Sequence, residues 1–314
     1  MAAVRRSITD PSARDAYVRG VLALKAETLG PTTTQLGIPG PTVPVSTWDL
    51  FVVWHQRAMM RMTPPTQGDR NAAHSGPVFL PWHRFMLVLL ELQLQRVLGD
   101  PDVGLPYWDW AADGDLPAAE QPRTALWGPD GIGGSGFPVP DGPFTADAFP
   151  VLVESDRFGG LRSTERGLLR DLGADVADLP TTAQVRAALA LTPYDAAPWG
   201  RSSAGFRNRL EGWRPGPGPG LHNRVHVWVG GDMAPATSPN DPVFYLNHAN
   251  VDRIWEAWLV EHGRTYLPPD SESAELAGHR LGDAMDSLLT RDPVTPADVL
   301  DVAALSTYDV LPAL

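Results

Sequence analysis

"FLPWHRFMLVLLELQLQRVLGD", residues 79–100, is the stretch that decides the fold class of this chain. Pro81 lies near its start, where a helix tolerates proline, and Leu90 and Leu94 recur four residues apart on one face. His83 lies in the same apolar segment. The pattern predicts a long helix that carries an imidazole toward the core.

Three other stretches have apolar residues at helical spacing. They cover residues 11–27, 47–62 and about 241–262. Strand patterns are short and few, the clearest being "VHVWVG" (225–230) and "YWDW" (107–110). Helices that carry histidines toward one centre predict a mostly α fold, with a central antiparallel helix bundle, long loops and few short strands.

The composition disfavours several classes of protein. The net charge of −12 at pH 7 argues against a nucleic-acid partner, because such proteins concentrate positive charge. No window is apolar enough for a membrane-spanning helix. The start, "MAAVRRSITD", lacks the apolar segment of a signal peptide, which predicts a cytoplasmic protein or one exported together with a partner. Cysteine is absent, so a metal has to be bound by His, Asp, Glu or backbone oxygen.

Two histidines, His222 and His226, lie four residues apart in "LHNRVHVWVGG" (221–231). This spacing places both imidazoles on one helix face, within reach of a common ion. An isolated pair of this kind is more often a solvated or hydrogen-bonded surface feature. Here Val225 and Trp228 favour a buried position, where each imidazole needs a partner.

Six of the eight histidines predict a shared metal site. They lie in helical segments with large apolar neighbours, or in the loop before one of them, and are His55, His74, His83, His222, His226 and His248. Left unpaired, each buried imidazole would cost about 1–3 kcal/mol, and two metal ions remove that cost. A donor set made of imidazoles alone suits copper or zinc and leaves open positions for chemistry. His262 and His279 are expected to face solvent and to bind no metal.

Five blocks of sequence resemble the type 3 dinuclear copper proteins, most closely the bacterial tyrosinases and their o-aminophenol oxidase relatives. The blocks are "FLPWHRFMLVLLE", "LPYWDW", "NRLEGW", "LHNRVHVWVGG" and "SPNDPVFYLNHANVDRIWEAW", and the likeness covers about residues 15–265. The resemblance implies two copper ions, one bound by His55, His74 and His83 and the other by His222, His226 and His248. Residues 1–314 are then expected to form a single domain with a core at about 15–265 and a C-terminal extension at 266–314.

The resemblance also implies a function. Members of the family use O2 to oxidise o-diphenols to o-quinones, and some first insert oxygen ortho to the hydroxyl of a monophenol; an o-aminophenol would give a quinone imine. Glu211 and Asn223 match the pair that holds a water for deprotonating a monophenol in tyrosinases, whereas a plain surface carboxylate is the alternative for Glu211. Val227 and Ala236 are expected to leave an open mouth for an aromatic ring, and Phe244 to pack against the imidazoles.

The segment around His248 departs from the streptomycete tyrosinases, which read "LHHAY" where this chain has "LNHAN". Asn247 and Asn250 therefore favour o-diphenols and o-aminophenols over tyrosine as substrates. Asp252 follows His248 by four residues on the same helix face. It is expected either to orient a ligand or an arginine, or to form an ion pair with Arg253 or another nearby arginine.

Two other functions are open to the sequence. A hemocyanin-like oxygen carrier binds O2 without turnover and needs a shielded site, but little chain follows residue 265. Within that part, Tyr308 would either fold back toward the core or simply pack in a terminal strand. A dizinc hydrolase is disfavoured because such sites normally use bridging carboxylates. For the oxidase, the expected partners are a phenolic small molecule, O2 and a small copper-delivery chaperone.

Overall fold

The four helices expected from the apolar spacing form the centre of the fold. The computed structural model describes residues 2–213 and 218–313. Its α-helices are Pro11–Ala26 (α1), Thr47–Met60 (α2), Phe79–Leu98 (α3), Trp110–Gly114 (α4), Thr182–Leu189 (α5), Phe206–Glu211 (α6), Leu221–Val229 (α7) and Val243–His262 (α8). Helix α3 packs against α1 and α8, and α7 packs against α8. The prediction of a mostly helical fold is confirmed. Among the described residues, no helix is both long and apolar enough to cross a membrane.

The strands in the described part of the chain form two separate pairs. Strand β1 (Ala3–Arg5) is parallel to β4 (Ser306–Tyr308), and β2 (Val151–Ser155) is antiparallel to β3 (Leu161–Arg166). The segment "YWDW" is extended only at its start, where Tyr107 forms an isolated bridge, and its last residue begins α4. The expectation of few, short strands is therefore confirmed.

At 225–230 the sequence leaves a strand open beside the helix that the spacing of His222 and His226 predicts, and the structure forms the helix. All but the last of these residues belong to α7, which ends at Gly230 with a φ of 63°. Val225, Trp228 and Val229 are fully buried, and their spacing of three and four residues matches one face of a helix. Packing of this face against the core overrides the preference of valine for strands.

One cluster of buried hydrophobic residues extends from Ile8 to Val302. The C-terminal part of the chain is bound to the same core. The backbone carbonyl of Asp286 accepts hydrogen bonds from Nε1 of Trp54 (3.2 Å) and of Trp82 (2.9 Å), which lie on α2 and α3. This packing joins the C-terminal residues to the bundle, while the proposed limits of the core and its extension stay a prediction.

A buried network of charges joins α3 and α8 to the two terminal strands. Asp252 on α8 accepts hydrogen bonds from Nε of Arg84 (2.5 Å), from Nη1 of Arg5 (3.0 Å) and from the hydroxyl of Tyr308 (2.6 Å). Both guanidinium groups are fully buried. Asp252 thus forms ion pairs with arginines from two distant segments, whereas Arg253 pairs with Asp109. These contacts fit both the expected orientation of an arginine and the alternative of an ion pair with a nearby arginine.

The expectation that His279 and His262 face solvent is wrong for the first and only partly right for the second. His279 is fully buried; its Nε2 lies 2.9 Å from Oγ1 of Thr63, and its ring packs against Gly76, where a Cβ would come within 2.7 Å. His262 is half-buried, with Nε2 2.8 Å from the carbonyl oxygen of Leu189. In both cases the cover comes from distant segments that the local sequence does not reveal.

Removing the carboxylate of Asp252 would leave Arg5 and Arg84 buried without their shared partner. We expect Asp252→Ala to lower the free energy of unfolding by about 3–5 kcal/mol, as measured by urea unfolding. Asp15→Ala breaks an exposed pair with Arg19 and should cost less than about 1 kcal/mol. Equal losses in the two variants would contradict the importance of the buried network.

Burial, assisted by the nearby charges of Arg70 and Arg207, lowers the pKa of His279 from 6.5 to about 3. Below about pH 6.5 the unfolded chain takes up a proton that the folded chain refuses until about pH 3, so stability falls as the pH decreases through this window. Between about pH 8 and pH 5 the loss from this residue is on the order of 2 kcal/mol. We expect His279→Gln to weaken the pH dependence of the unfolding free energy of the metal-free protein by that amount. An unchanged pH dependence would exclude this role of His279.

Candidate metal centre

Two triads of histidines lie side by side within the bundle. The first contains His55 of α2, His83 of α3 and His74 of the loop between them; the second contains His222 and His226 of α7 and His248 of α8. Within each triad, one ring nitrogen of each residue lies within 4.8 Å of the other two. The structure therefore brings together all six histidines that the sequence predicts as ligands.

The two triads are in direct contact. The rings of His83 and His248 are stacked, with centroids 4.1 Å apart and planes 11° apart. The ring centroids of His74 and His222 are 6.4 Å apart. The six imidazoles thus form one centre rather than two separate sites.

Short hydrogen bonds of 2.7–2.8 Å to backbone carbonyls fix the orientation of three rings. In each case Nδ1–H donates to a carbonyl oxygen; the pairs are His55 with Ala236 (2.7 Å), His83 with Phe79 (2.7 Å) and His226 with Met233 (2.8 Å). Since the proton is on Nδ1, the Nε2 atom of each ring carries the lone pair. These three Nε2 atoms are buried and have no hydrogen-bond partner among the residues that the structure describes. A bound metal ion would satisfy them.

Burial keeps the six imidazoles neutral. It lowers the pKa of His55 to about 3 and the pKa of His226 to about 4, and it lowers the pKa of the other four well below the ordinary value. The neutral ring is the form that binds a metal, so protons compete little for the nitrogens near neutral pH. In the described chain the two triads consist of imidazoles alone, and this donor set fits copper or zinc rather than magnesium or calcium.

Glu211 connects the loop of His74 to the ring of His222. Its Oε1 accepts a hydrogen bond from the backbone N–H of Ser75 (2.6 Å), and its backbone carbonyl accepts one from Nδ1 of His222 (3.3 Å). Arg207 binds the other carboxylate oxygen at 2.7 Å. Burial raises the pKa of Glu211, and the charge of Arg207 opposes that shift. The side chain is fully buried, which excludes the alternative of a surface carboxylate.

The three asparagines singled out in the sequence have different surroundings. Asn223 accepts a hydrogen bond from Nδ1 of His222 through Oδ1 (3.0 Å). Asn247 is fully buried, and its amide has no partner among the residues described. The Oδ1 of Asn250 accepts a hydrogen bond from Arg253 (3.0 Å). Asn247 and Asn250 therefore lie buried on α8, and neither lines the pocket described next.

A pocket of about 620 Å³ opens onto both triads. Its wall includes Val227, as expected, and also Asn223, whereas Ala236 is not part of the wall and contributes its carbonyl to His55. Ala234 and Pro235 of the same loop form that side of the mouth.

Phe244 packs against the imidazoles from within the core. Its ring centroid is 4.9 Å from that of His55, 4.2 Å from that of His248 and 5.8 Å from that of His226. The ring contacts members of both triads and so restricts their rotation.

Residues 45–261 match the family model described as the common central domain of tyrosinase. The chain belongs to the tyrosinase family. It is 43% identical over 273 residues to a tyrosinase of Streptomyces glaucescens, and the alignment covers 83% of this chain and 88% of that protein. It is 36% identical over 289 residues to grixazone synthase of Streptomyces griseus subsp. griseus, with 83% and 90% covered. The resemblance seen in the sequence is confirmed, and the protein is a type 3 copper oxidoreductase.

Solved structures share the fold of this tyrosinase-family chain. A variant of the polyphenol oxidase from Thermothelomyces thermophila superposes with a TM-score of 0.72 at 25% identity, covering 98% of this chain and 88% of that one. A functional unit of octopus hemocyanin gives a TM-score of 0.57 at 20% identity, with 98% and 68% covered. The second likeness concerns the fold alone.

Several loop residues at this tyrosinase-family site escape prediction from the sequence. Asn71, Ser75, Arg201 and Trp213 also line the pocket. The Oδ1 of Asn71 accepts the backbone N–H of His74 at 2.7 Å, a local turn that the preference of asparagine for such positions would have suggested. The other three come from loops without periodic spacing, so no pattern marks them.

Proposed function

We propose that this chain uses O2 to oxidise o-diphenols to o-quinones and o-aminophenols to quinone imines, with one copper ion bound at each triad. The observation that carries the proposal is the set of buried, neutral imidazoles around one pocket, three of which present unpartnered Nε2 lone pairs. When bound, two copper ions supply the exchange of two electrons with O2 and with the phenol.

The six histidines hold the ions in this proposal. One copper is assigned to His55, His74 and His83, and the other to His222, His226 and His248. Three ligands for each ion leave positions open for O2 and substrate. Because all six ligands are neutral, they leave the positive charge of the ions available to a bound phenolate.

The pocket wall supports the binding of a flat ring. Val227 and Met59 contribute apolar surface beside the triads. Phe244 lies behind the rings of His55 and His248 and keeps them in place. A rigid set of rings favours turnover, because small errors in the placement of reacting atoms are costly in rate.

Glu211 and Asn223 serve monophenols in this proposal. They would hold a water that accepts the proton of the incoming hydroxyl. The carboxylate of Glu211 is also bound to Arg207 and to the backbone N–H of Ser75, and these contacts compete with a water. Together with Asn247 beside a ligand, this competition favours weak hydroxylation of monophenols.

A hemocyanin-like carrier is the second candidate, and the fold likeness to octopus hemocyanin is the observation that favours it. Such a protein needs a side chain that shields the site. Tyr308 instead lies in β4, where its hydroxyl binds Asp252, and it does not line the pocket. The pocket that opens onto the triads is better suited to substrate turnover.

The burial of the ligands also bears on how copper arrives. We propose that a small copper-delivery protein loads the site, with the ion passing to the mostly buried ligands through the pocket that opens onto both triads. A cytoplasmic location, or export together with such a partner, stays a prediction.

The ligand assignment predicts a change in metal content. We expect His226→Ala to bind one copper ion per chain instead of two, measured by elemental analysis after copper loading and desalting. His262→Ala keeps the triads intact and should still bind two. Two coppers in both variants would reject the assignment of His226.

Oxygen uptake by the copper-loaded chain tests the function. With catechol, an o-aminophenol and tyrosine at equal concentration, we expect the first two to be consumed faster than tyrosine, because they need only electron and proton loss. Glu211→Gln should widen this gap. Uptake with none of the three would reject the oxidase, and tyrosine consumed as fast as catechol would overturn the order.

A further inference from the structure

Among the residues that the structure describes, the pocket wall contains one permanently charged side chain. Apart from the histidines, Arg201 is the only ionisable residue in the described part of the wall, and that wall contains no Asp or Glu. The whole chain has a net charge of −12, so the mouth of the pocket differs in sign from the molecule around it. Within the described wall, an anion that approaches the site therefore meets a favourable charge at Arg201.

Two contacts hold the guanidinium group of Arg201 in the wall. Its Nε donates a hydrogen bond to Oγ of Ser75 (3.1 Å), and its Cζ lies 4.4 Å from the ring centroid of Trp213. Ser75 follows His74 directly, so the charge is attached next to a predicted copper ligand. A stacked and hydrogen-bonded guanidinium loses little further entropy when it binds an anion.

The outer donors of Arg201 face no partner in the described part of the chain. Within residues 2–213 and 218–313, no hydrogen bond or ion pair involves its Nη1 or Nη2. Arg207, only six residues away, differs because it is bound to both Asp195 and Glu211. The free edge of a guanidinium matches the two oxygens of a carboxylate, which it binds through two parallel hydrogen bonds.

We propose that Arg201 selects aromatic substrates that carry a carboxylate on the side of the ring opposite the reacting groups. This inference rests on the proposed oxidation of o-diphenols and o-aminophenols at the histidines. The triads lie at the buried end of the pocket, whereas Arg201 is exposed. A ring whose reacting groups face the imidazoles directs its far side toward the mouth, where a carboxylate pairs with Arg201 and a neutral group does not.

Two catechols of nearly equal shape test the proposal. The copper-loaded full chain is assayed with 3,4-dihydroxybenzoate and with its amide, 3,4-dihydroxybenzamide, and the ratio of the two KM values is compared between variants. We expect Arg201→Gln to raise the KM of the acid relative to that of the amide by about fivefold, which is the effect of one partly exposed charge pair. Arg201→Lys keeps the positive charge but cannot form the two parallel hydrogen bonds, and it should restore part of the ratio.

A matched control distinguishes the effect of the charge at Arg201 from the effect of the net charge of the chain. Arg19→Gln makes the same change in net charge at an exposed position outside the pocket and should leave the ratio as in the wild type. An equal shift in Arg19→Gln would overturn the proposal. So would an equal rise of both KM values in Arg201→Gln, because Arg201 would then only support the loop of Ser75.

Binding to the metal-free full chain distinguishes this inference from the proposed function. Calorimetry with 4-hydroxybenzoate and 4-hydroxybenzamide should show a preference for the acid that Arg201→Gln removes and that salt weakens. If the loaded chain oxidises neither catechol while this preference persists, the oxidase proposal fails and the role of Arg201 stands. If the wild type binds acid and amide equally, the role of Arg201 is rejected even when both catechols are oxidised.

Discussion

Three short hydrogen bonds to backbone carbonyls determine where the rings of His55, His83 and His226 point. The carbonyls of Met233 and Ala236 belong to the loop after α7, so the path of this loop sets the direction of two rings. Gly231 makes that path possible, since its φ is 51° and a Cβ would lie 2.1 Å from the carbonyl oxygen of Leu169. The chemistry of the centre thus depends on main-chain geometry that only glycine permits at this position.

Contacts outside the triads join the helices that carry the imidazoles and so stabilise this geometry. Asp252, one turn beyond His248 on α8, binds Arg84, which is the neighbour of His83 on α3. The carbonyl of Asp286 links α2 and α3 through two indoles. The helices that present three of the six rings are therefore held together both by a buried ion pair and by the segment packed over them, so their rings keep a fixed separation.

Periodic sequence predicted the parts of the fold that periodicity controls. The long helices were predicted from the spacing of apolar residues such as Leu90 and Leu94, and the six imidazoles from their scarcity and their apolar neighbours. The burial of His279 could not be predicted, because the residues that pack against it, Thr63 and Gly76, lie more than 200 positions away in the sequence.

Valine-rich α7 shows a second limit of sequence-based prediction, because the sequence left both a helix and a strand open for part of this segment. Its side chains favour a strand locally, but the buried face formed by Val225, Trp228 and Val229 fits the core only as a helix. Loop residues such as Arg201 form the third limit, since their place in the pocket follows from tertiary contacts with Ser75 and not from spacing along the chain.

The pairing of β1 with β4 has a consequence for how the chain folds. Ala3 lies opposite Ser306, so this contact closes a loop of almost the whole sequence. Contacts of such separation are entropically costly until other parts of the chain have brought the ends together. We therefore expect the helices to assemble first, and the strand pair that places Arg5 and Tyr308 around Asp252 to form late. In that order of events, the charge network stabilises a bundle that has already formed and does not guide its assembly.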